Sequence, residues 1–77
     1  MTPDVELDCR GLLCPRPVIE LARHLEDVAV GEVIAVVAED VAAAVDVPAW
    51  CRMRGQEYVG SDAAADGVAR YLVRRTS

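Results

Sequence analysis

The 77-residue chain contains no lysine, no phenylalanine and only three aromatic residues. All eight of its basic residues are arginines, and thirteen acidic residues outnumber them, which gives a net charge of −5. A domain this acidic lacks the positive patch that holds a phosphate backbone, so we expect no direct binding to nucleic acid. Because aromatic side chains are scarce, valine, alanine, leucine and isoleucine must fill the core. Apolar residues make up 53% of the chain, which is enough for a globular fold.

The chain also lacks an apolar run approaching the roughly 20 residues that cross a bilayer. Its first residues, MTPDVELD, do not combine a basic segment with an apolar stretch, as a signal peptide would. We therefore expect a cytoplasmic protein without membrane association, and the length predicts a single domain over residues 1–77.

The chain has three cysteines and one histidine. The odd cysteine count does not indicate a disulfide framework, and no spacing matches the four convergent ligands of a structural zinc site. We expect free thiols and no metal. Cys51 is predicted to lie in the core, and His24 is predicted to lie on the polar face of a helix beside Glu20.

The hydrophobic pattern predicts elements in the order βαβαββ. The predicted strands cover residues 5–8, 32–38, 56–61 and 68–75, and the predicted helical regions cover about four turns from Pro15 and residues 39–55. Strand–helix–strand units normally form parallel crossovers, and the last two strands can close as a hairpin. The sequence therefore predicts an α/β two-layer sandwich, with two helices packed on one face of a four-stranded mixed sheet.

Pro48 falls inside the second helical region. Proline removes a helical hydrogen bond, so we expect a kink or a restart there, with Asp46 as a second cap. Glu39 and Asp40 are interpreted as a charged cap at the start of the region, and Gly55 as its end.

Residues 7–18, LDCRGLLCPRPV, place a cysteine directly before the first helix. Pro15 fits the first helical position, which would make Cys14 the N-cap. The positive end of the helix, the guanidinium groups of Arg10 and Arg16 and the free Arg16 N–H would all favour a thiolate. We therefore predict an exposed, nucleophilic Cys14 with a lowered thiol pKa. The alternative is that Cys14 is simply a small buried side chain.

The same residues resemble the Cys-Pro-x-Pro motif of the TusA/SirA-like sulfur-carrier family. A second stretch, AEDVAAAVDVPAWCR at residues 38–52, is similar to that family's acidic, helical, Pro-aromatic-Cys-Arg segment. The resemblance implies the βαβαββ sandwich and a Cys14 that carries sulfane sulfur as a persulfide. From their own chemistry, five residues around that thiol are predicted to support it through turn geometry, a stiffened helix start and positive charge: Arg10, Gly11, Pro15, Arg16 and Pro17.

The resemblance implies two kinds of partner: a sulfur donor, such as a cysteine desulfurase or a rhodanese-like protein, and an acceptor protein. The destinations in this family include tRNA thiolation, cofactor biosynthesis and sulfur oxidation. No cofactor is expected, and a sulfur relay protein of this kind is not expected to turn over without its partners. A monomer is expected, because the thiol must enter the sites of other proteins.

Cys9 leaves an alternative open. It can be a spectator at the end of a strand. It could instead attack a Cys14 persulfide, release sulfide and leave a Cys9–Cys14 disulfide, which would make the protein a thiol redox switch. A third interpretation is a binding module in which the motif is only structural.

Overall fold

The computed structural model describes residues 2–77, and the order of its strands and helices is the predicted βαβαββ. The elements are β1 (Val5–Asp8), α1 (Arg16–His24) with a 3₁₀ turn (Leu25–Asp27), β2 (Val33–Val37), α2 (Ala43–Arg54), β3 (Glu57–Ala63) and β4 (Ala69–Arg74). None of the helices in residues 2–77 is long and apolar enough to cross a membrane.

The four strands form one mixed sheet in the order β1-β2-β4-β3. β1 and β2 are parallel, whereas β4 is antiparallel to both β2 and β3. Leu21 of α1 and Val47 of α2 are fully buried in the same cluster as Ile34 and Val73 of the sheet, so both helices cover one face. The predicted two-layer α/β fold is confirmed.

No helix within residues 2–77 covers the other face of the sheet, yet this face buries Val33, Ala35 and Leu72. Arg70 lies across this face and donates hydrogen bonds to Glu6 at 3.0 Å and to Asp62 at 2.7 and 2.6 Å. The aliphatic part of an arginine side chain can cover apolar surface while its charged end stays hydrated. A layer of paired charges therefore shields the second face of the sheet.

Two predicted helix starts were wrong by a few residues. α1 begins at Arg16 with Pro15 as the N-cap residue, so Cys14 precedes the cap instead of forming it. α2 begins at Ala43, and Asp40 binds the Ala42 N–H through its side chain at 3.0 Å just before the helix. Helix ends are set by such local contacts, which periodicity does not locate to the residue.

Of the kink or restart predicted at Pro48, the restart was wrong. α2 runs without interruption from Ala43 to Arg54, and Asp46 lies in its first turn. The missing proline N–H affects one bond near the helix start, while Val47 and Trp50 on either side are buried against the sheet. Packing thus outweighs the lost hydrogen bond. The helix ends as predicted, at a left-handed Gly55 with φ of 72°.

Candidate functional site

The residues between β1 and α1 form a loop that meets the segment following β2. β1 and β2 are parallel neighbours, so their carboxyl ends lie at the same edge of the sheet. Two carboxylates from the second segment accept backbone N–H groups of the loop: Glu39 binds Gly11 at 2.8 Å, and Asp40 binds Cys14 at 2.8 Å. These carboxylates, interpreted from sequence as a helix cap, hold the loop in place.

The thiol of Cys14 is exposed, as predicted, which excludes the alternative of a small buried side chain. Its Sγ donates a hydrogen bond to Oδ2 of Asp46 at 2.8 Å. The sequence pattern predicts Asp46 as a helix cap and does not predict this contact with the thiol. The available signal was its position in the acidic segment that follows the strand parallel to β1.

The hydrogen bond to Asp46 raises the pKa of the Cys14 thiol, and desolvation and the negative charges of Asp46 and Asp40 act in the same direction. The predicted lowering of this pKa was therefore wrong. The expected donors are occupied: Arg16 N–H binds the Leu13 carbonyl at 2.8 Å, and Cys14 N–H binds Asp40. The sulfur is thus paired with a carboxylate, and these two N–H groups are paired elsewhere.

Arg10 does not direct its charge at the sulfur. Its guanidinium binds Asp66 at 2.9 and 3.0 Å and Asp8 at 3.1 Å. The pKa of Asp8 is lowered first by the backbone N–H of Arg10, which binds it at 3.1 Å, and then by the guanidinium, whereas the guanidinium is the main cause of the lowered pKa of Asp66. Asp66 lies in the connection between β3 and β4, so Arg10 fastens the turn after β1 to that connection.

The other predicted supporting residues shape the backbone around the thiol. Gly11 has a φ of 78°, in the left-handed region that favours glycine, where the chain turns. Pro15 is exposed beside Cys14, and Pro17 is buried under the first turn of α1. Arg16 is exposed, and its side chain makes no hydrogen bond or ion pair with residues 2–77.

A groove of about 280 Å³ opens beside the thiol, between α1 and α2. Its walls come from both helices and from the end of the loop: Cys14, Pro15, Val18, Asp46, Ala49, Trp50 and Met53. The side chain of Met53 is 75% exposed, and that of Leu13, directly before Cys14, is 71% exposed. The thiol and its carboxylate partner therefore lie on the wall of a mainly apolar groove.

The remaining thiols are in the core. Cys9 and Cys51 are each 1% exposed. Burial raises the pKa of Cys9, and it raises the pKa of Cys51 to about 11. A buried thiol with a raised pKa is a poor nucleophile. Cys14 is consequently the one cysteine of the three that a reagent can reach without unfolding the chain.

His24 pairs with two carboxylates on the surface, Asp27 at 2.8 Å and Glu20 at 3.5 Å. The pairing with Glu20 is as predicted. Across residues 2–77, no group of three or more histidine, cysteine, aspartate or glutamate side chains is arranged to hold a metal ion.

Comparison with known proteins identifies the family. A predicted sulfur carrier protein of Archaeoglobus fulgidus is 41% identical over 69 residues, which cover 90% of each chain. The sulfur carrier protein TusA of Pseudomonas syringae pv. syringae is 36% identical over 77 residues, or 100% of this chain and 90% of that protein.

The same fold is found in the crystal structure of a SirA-like protein from Desulfitobacterium hafniense. The TM-score is 0.78 at 19% identity, with 95% of this chain and 99% of that chain covered. The family described as Sulfurtransferase TusA matches residues 5–75. The chain therefore belongs to the Sulfurtransferase TusA family.

Proposed function

We propose that this protein is a sulfur carrier that holds a sulfane sulfur as a persulfide on Cys14 and relays it from a donor protein to an acceptor protein. The observation that carries the proposal is the contrast among the thiols. Cys14 is exposed at the edge of a groove, whereas Cys9 and Cys51 are buried. Membership of the family and the names of the relatives, which are sulfur carrier proteins, support the same function.

The chemistry needs no net oxidation or reduction. In the charging step, the Cys14 sulfur attacks the terminal sulfur of a persulfide on the donor's cysteine. A new sulfur–sulfur bond forms, the donor's sulfur–sulfur bond breaks, and the donor cysteine leaves as a thiolate. In the discharging step, a nucleophile of the acceptor attacks the terminal sulfur, and Cys14 is the leaving group.

Exposed apolar side chains near the thiol support docking to other proteins. Leu13, Val41, Val45 and Met53 are each at least 69% exposed. Leu13 precedes Cys14, and Val41 and Val45 directly neighbour the two aspartates that bind it. Met53 also lines the groove beside the thiol, and exposed apolar patches are typical of protein interaction sites. A cysteine desulfurase or a rhodanese-like protein is the donor class that fits the persulfide chemistry.

Further features belong to the proposal. The acceptor serves tRNA thiolation, cofactor biosynthesis or sulfur oxidation, in the cytoplasm, and the carrier works as a monomer because Cys14 must enter a partner's site. Burial of Cys9 and its raised thiol pKa weigh against the redox switch, because a disulfide with Cys14 would require Cys9 to act as a nucleophile.

Intact-protein mass spectrometry tests the function after incubation with a cysteine desulfurase, pyridoxal phosphate and L-cysteine. We expect a gain of one sulfur, about 32 Da, that maps to Cys14 and is absent from Cys14→Ser. Thermal unfolding of Cys14→Ser serves as the control for folding, since this side chain is exposed. A loss of about 2 Da mapped to Cys9 and Cys14 would instead support the redox switch. An unchanged mass with desulfurase and rhodanese-type donors would contradict the sulfur-carrier function.

A further inference from the structure

We propose that Asp46 is the acid–base residue of sulfur transfer: its carboxylate takes the proton of the Cys14 thiol as sulfur arrives and returns that proton as sulfur leaves. This inference rests on the proposed function, because it assumes that Cys14 is the residue that carries sulfur. The persulfide relay requires a proton to leave and return to the Cys14 sulfur, and the inference names the residue that accepts and donates it.

The contact between the two side chains is direct. Sγ of Cys14 donates to Oδ2 of Asp46 at 2.8 Å, which is within the distance at which a general base acts. Asp46 also forms part of the groove wall beside Cys14, so the carboxylate lies where a partner's persulfide would approach the sulfur.

The neighbouring carboxylate, Asp40, is committed to a structural role. Its Oδ1 accepts the Ala42 N–H at 3.0 Å, and its Oδ2 accepts the Cys14 N–H at 2.8 Å. These two bonds lower its pKa, which makes it a weaker base. Within residues 2–77, the side chain of Asp46 has the Cys14 thiol as its hydrogen-bond partner and no other. Of the two carboxylates at this site, Asp46 is therefore the one that can accept the proton of the thiol.

A base is needed because the resting thiol is protonated. An ordinary cysteine is only a few per cent thiolate at pH 7. Here the Asp46 hydrogen bond and the charges of Asp46 and Asp40 raise the thiol pKa further. Arg16, the basic residue nearest in sequence, makes no ion pair with Asp46 or Asp40 that would offset them. Most encounters with a donor thus present the neutral thiol.

The proton moves with the sulfur in each direction. As the Cys14 sulfur bonds to the donor's terminal sulfur, its S–H becomes far more acidic, so even a weak base such as a carboxylate can accept the proton. The donor cysteine departs with the electrons of the broken sulfur–sulfur bond. In discharge, the acceptor takes the terminal sulfur, the bonding electrons return to Cys14, and protonated Asp46 supplies its proton to this leaving group.

The test compares two reactions of Cys14 in the wild type, Asp46→Asn and Asp46→Glu. Charging is measured as single-turnover transfer from glutathione persulfide, which yields a Cys14 persulfide and glutathione. Alkylation by iodoacetamide reports the thiolate fraction, and both rates are followed from pH 6 to 9, a range of about three units around the thiol's ordinary ionisation. Asp27→Asn is the matched control, because it removes a surface carboxylate that pairs with His24 outside the groove.

The expected result is opposite changes in the two rates. Asp46→Asn should alkylate faster at pH 7, because the thiol pKa falls when the carboxylate is removed. The same variant should charge at least about tenfold more slowly, because an amide cannot take the proton. Asp46→Glu should recover part of the charging rate, and Asp27→Asn should behave as the wild type does in both reactions. Far-UV circular dichroism and urea unfolding establish that each variant is folded.

The outcomes separate this inference from the proposed function. If Asp46→Asn charges faster in parallel with its alkylation, or charges at the wild-type rate, the thiolate reacts directly and Asp46 is not the base. If the wild type gains no sulfur at Cys14 from glutathione persulfide or from a desulfurase, the sulfur-carrier function fails and the inference fails with it.

Discussion

Cys14 combines an exposed position with a carboxylate partner. The hydrogen bond to Asp46 raises the thiol pKa, so the unloaded carrier presents a protonated sulfur at neutral pH. A protonated thiol reacts slowly with electrophiles and oxidants. Reaction with a sulfur donor therefore depends on removal of this proton, which is the role proposed above for Asp46.

Cys9 provides a prediction at the residue scale. Its side chain is buried in the main core cluster, so Cys9→Ala should lower the free energy of unfolding by about 1–2 kcal/mol through the small cavity it leaves. Sulfur loading of Cys14 and the lifetime of the persulfide should stay at wild-type values, because a buried thiol does not attack it. Urea unfolding and time-resolved mass spectrometry of the loaded protein measure the two effects. A longer persulfide lifetime in Cys9→Ala would show instead that Cys9 discharges Cys14.

At the scale of elements, the site depends on two segments that are remote in sequence. The loop after β1 carries Cys14, and the segment after β2 carries the carboxylates that bind it. Parallel pairing of β1 with β2 brings the two segments to one edge of the sheet. α2 then contributes Asp46 from its first turn and Trp50 to the groove wall. The Cys14 thiol is thus positioned by strand pairing as much as by its own helix.

Asp40 is the residue through which this arrangement can be tested. Asp40→Ala removes the acceptor for two backbone N–H groups, so the loop loses its tie to the segment before α2. We expect a lower urea midpoint and a roughly threefold to tenfold slower charging of Cys14, because the thiol is less well positioned.

Glu26→Ala is the matched control for Asp40→Ala, since Glu26 is exposed and its side chain has no partner in residues 2–77. It should keep the wild-type midpoint and the wild-type charging rate. Equal midpoints and equal charging rates for Asp40→Ala and Glu26→Ala would contradict a positioning role for Asp40.

The sequence predicted the elements better than their contacts. The change from alternating to helical periodicity was enough to predict the βαβαββ order and the two-layer fold. The buried face of a strand or helix carries apolar residues at the spacing of that element. The exposure of Cys14 followed from its position directly before Pro15 at the start of a helix. Its raised pKa did not follow, because that depends on Asp46, 32 residues away in sequence. The N–H groups expected to bind the sulfur bind other oxygens instead: Arg16 N–H binds the Leu13 carbonyl, and Cys14 N–H binds Asp40.

Across the whole molecule, the acidic excess is organised by its arginines. Arg70 and Arg10 each bind two carboxylates, and these pairs join β1, β3 and β4 on the side of the sheet opposite the helices or at its edge. An individual pair at the surface contributes little in salt. The Arg70 pairs lie on the face of the sheet that buries Ala35 and Leu72, whereas the Arg10 pairs fasten the turn after β1 to the connection between β3 and β4. The two helices on the opposite face form the groove beside the Cys14 thiol.

This distribution of charge predicts how stability depends on pH. In the folded state, four carboxyl groups have pKa values lowered by hydrogen bonds: Asp8, Asp40, Asp62 and Asp66. Their contribution is present above the unfolded value of about 4 and is lost as pH falls through their lower folded values. The urea midpoint should therefore hold constant down to about pH 5 and then fall in acid.

Stability is also expected to fall at alkaline pH, where the cause is buried groups whose pKa values are raised. Burial raises the pKa of Cys9 and Tyr71, and it raises that of Cys51 to about 11. Such groups stabilise the fold fully below their unfolded values, from about 8.5 for a thiol, and this contribution is lost as pH rises through the folded values. Urea midpoints measured at constant ionic strength should therefore be highest from about pH 5 to 8.

Cys51→Ala should weaken the alkaline decline and leave the acid decline in place. A wild-type midpoint that stays constant from about pH 8.5 to 10.5 would mean that these groups are no harder to ionise folded than unfolded.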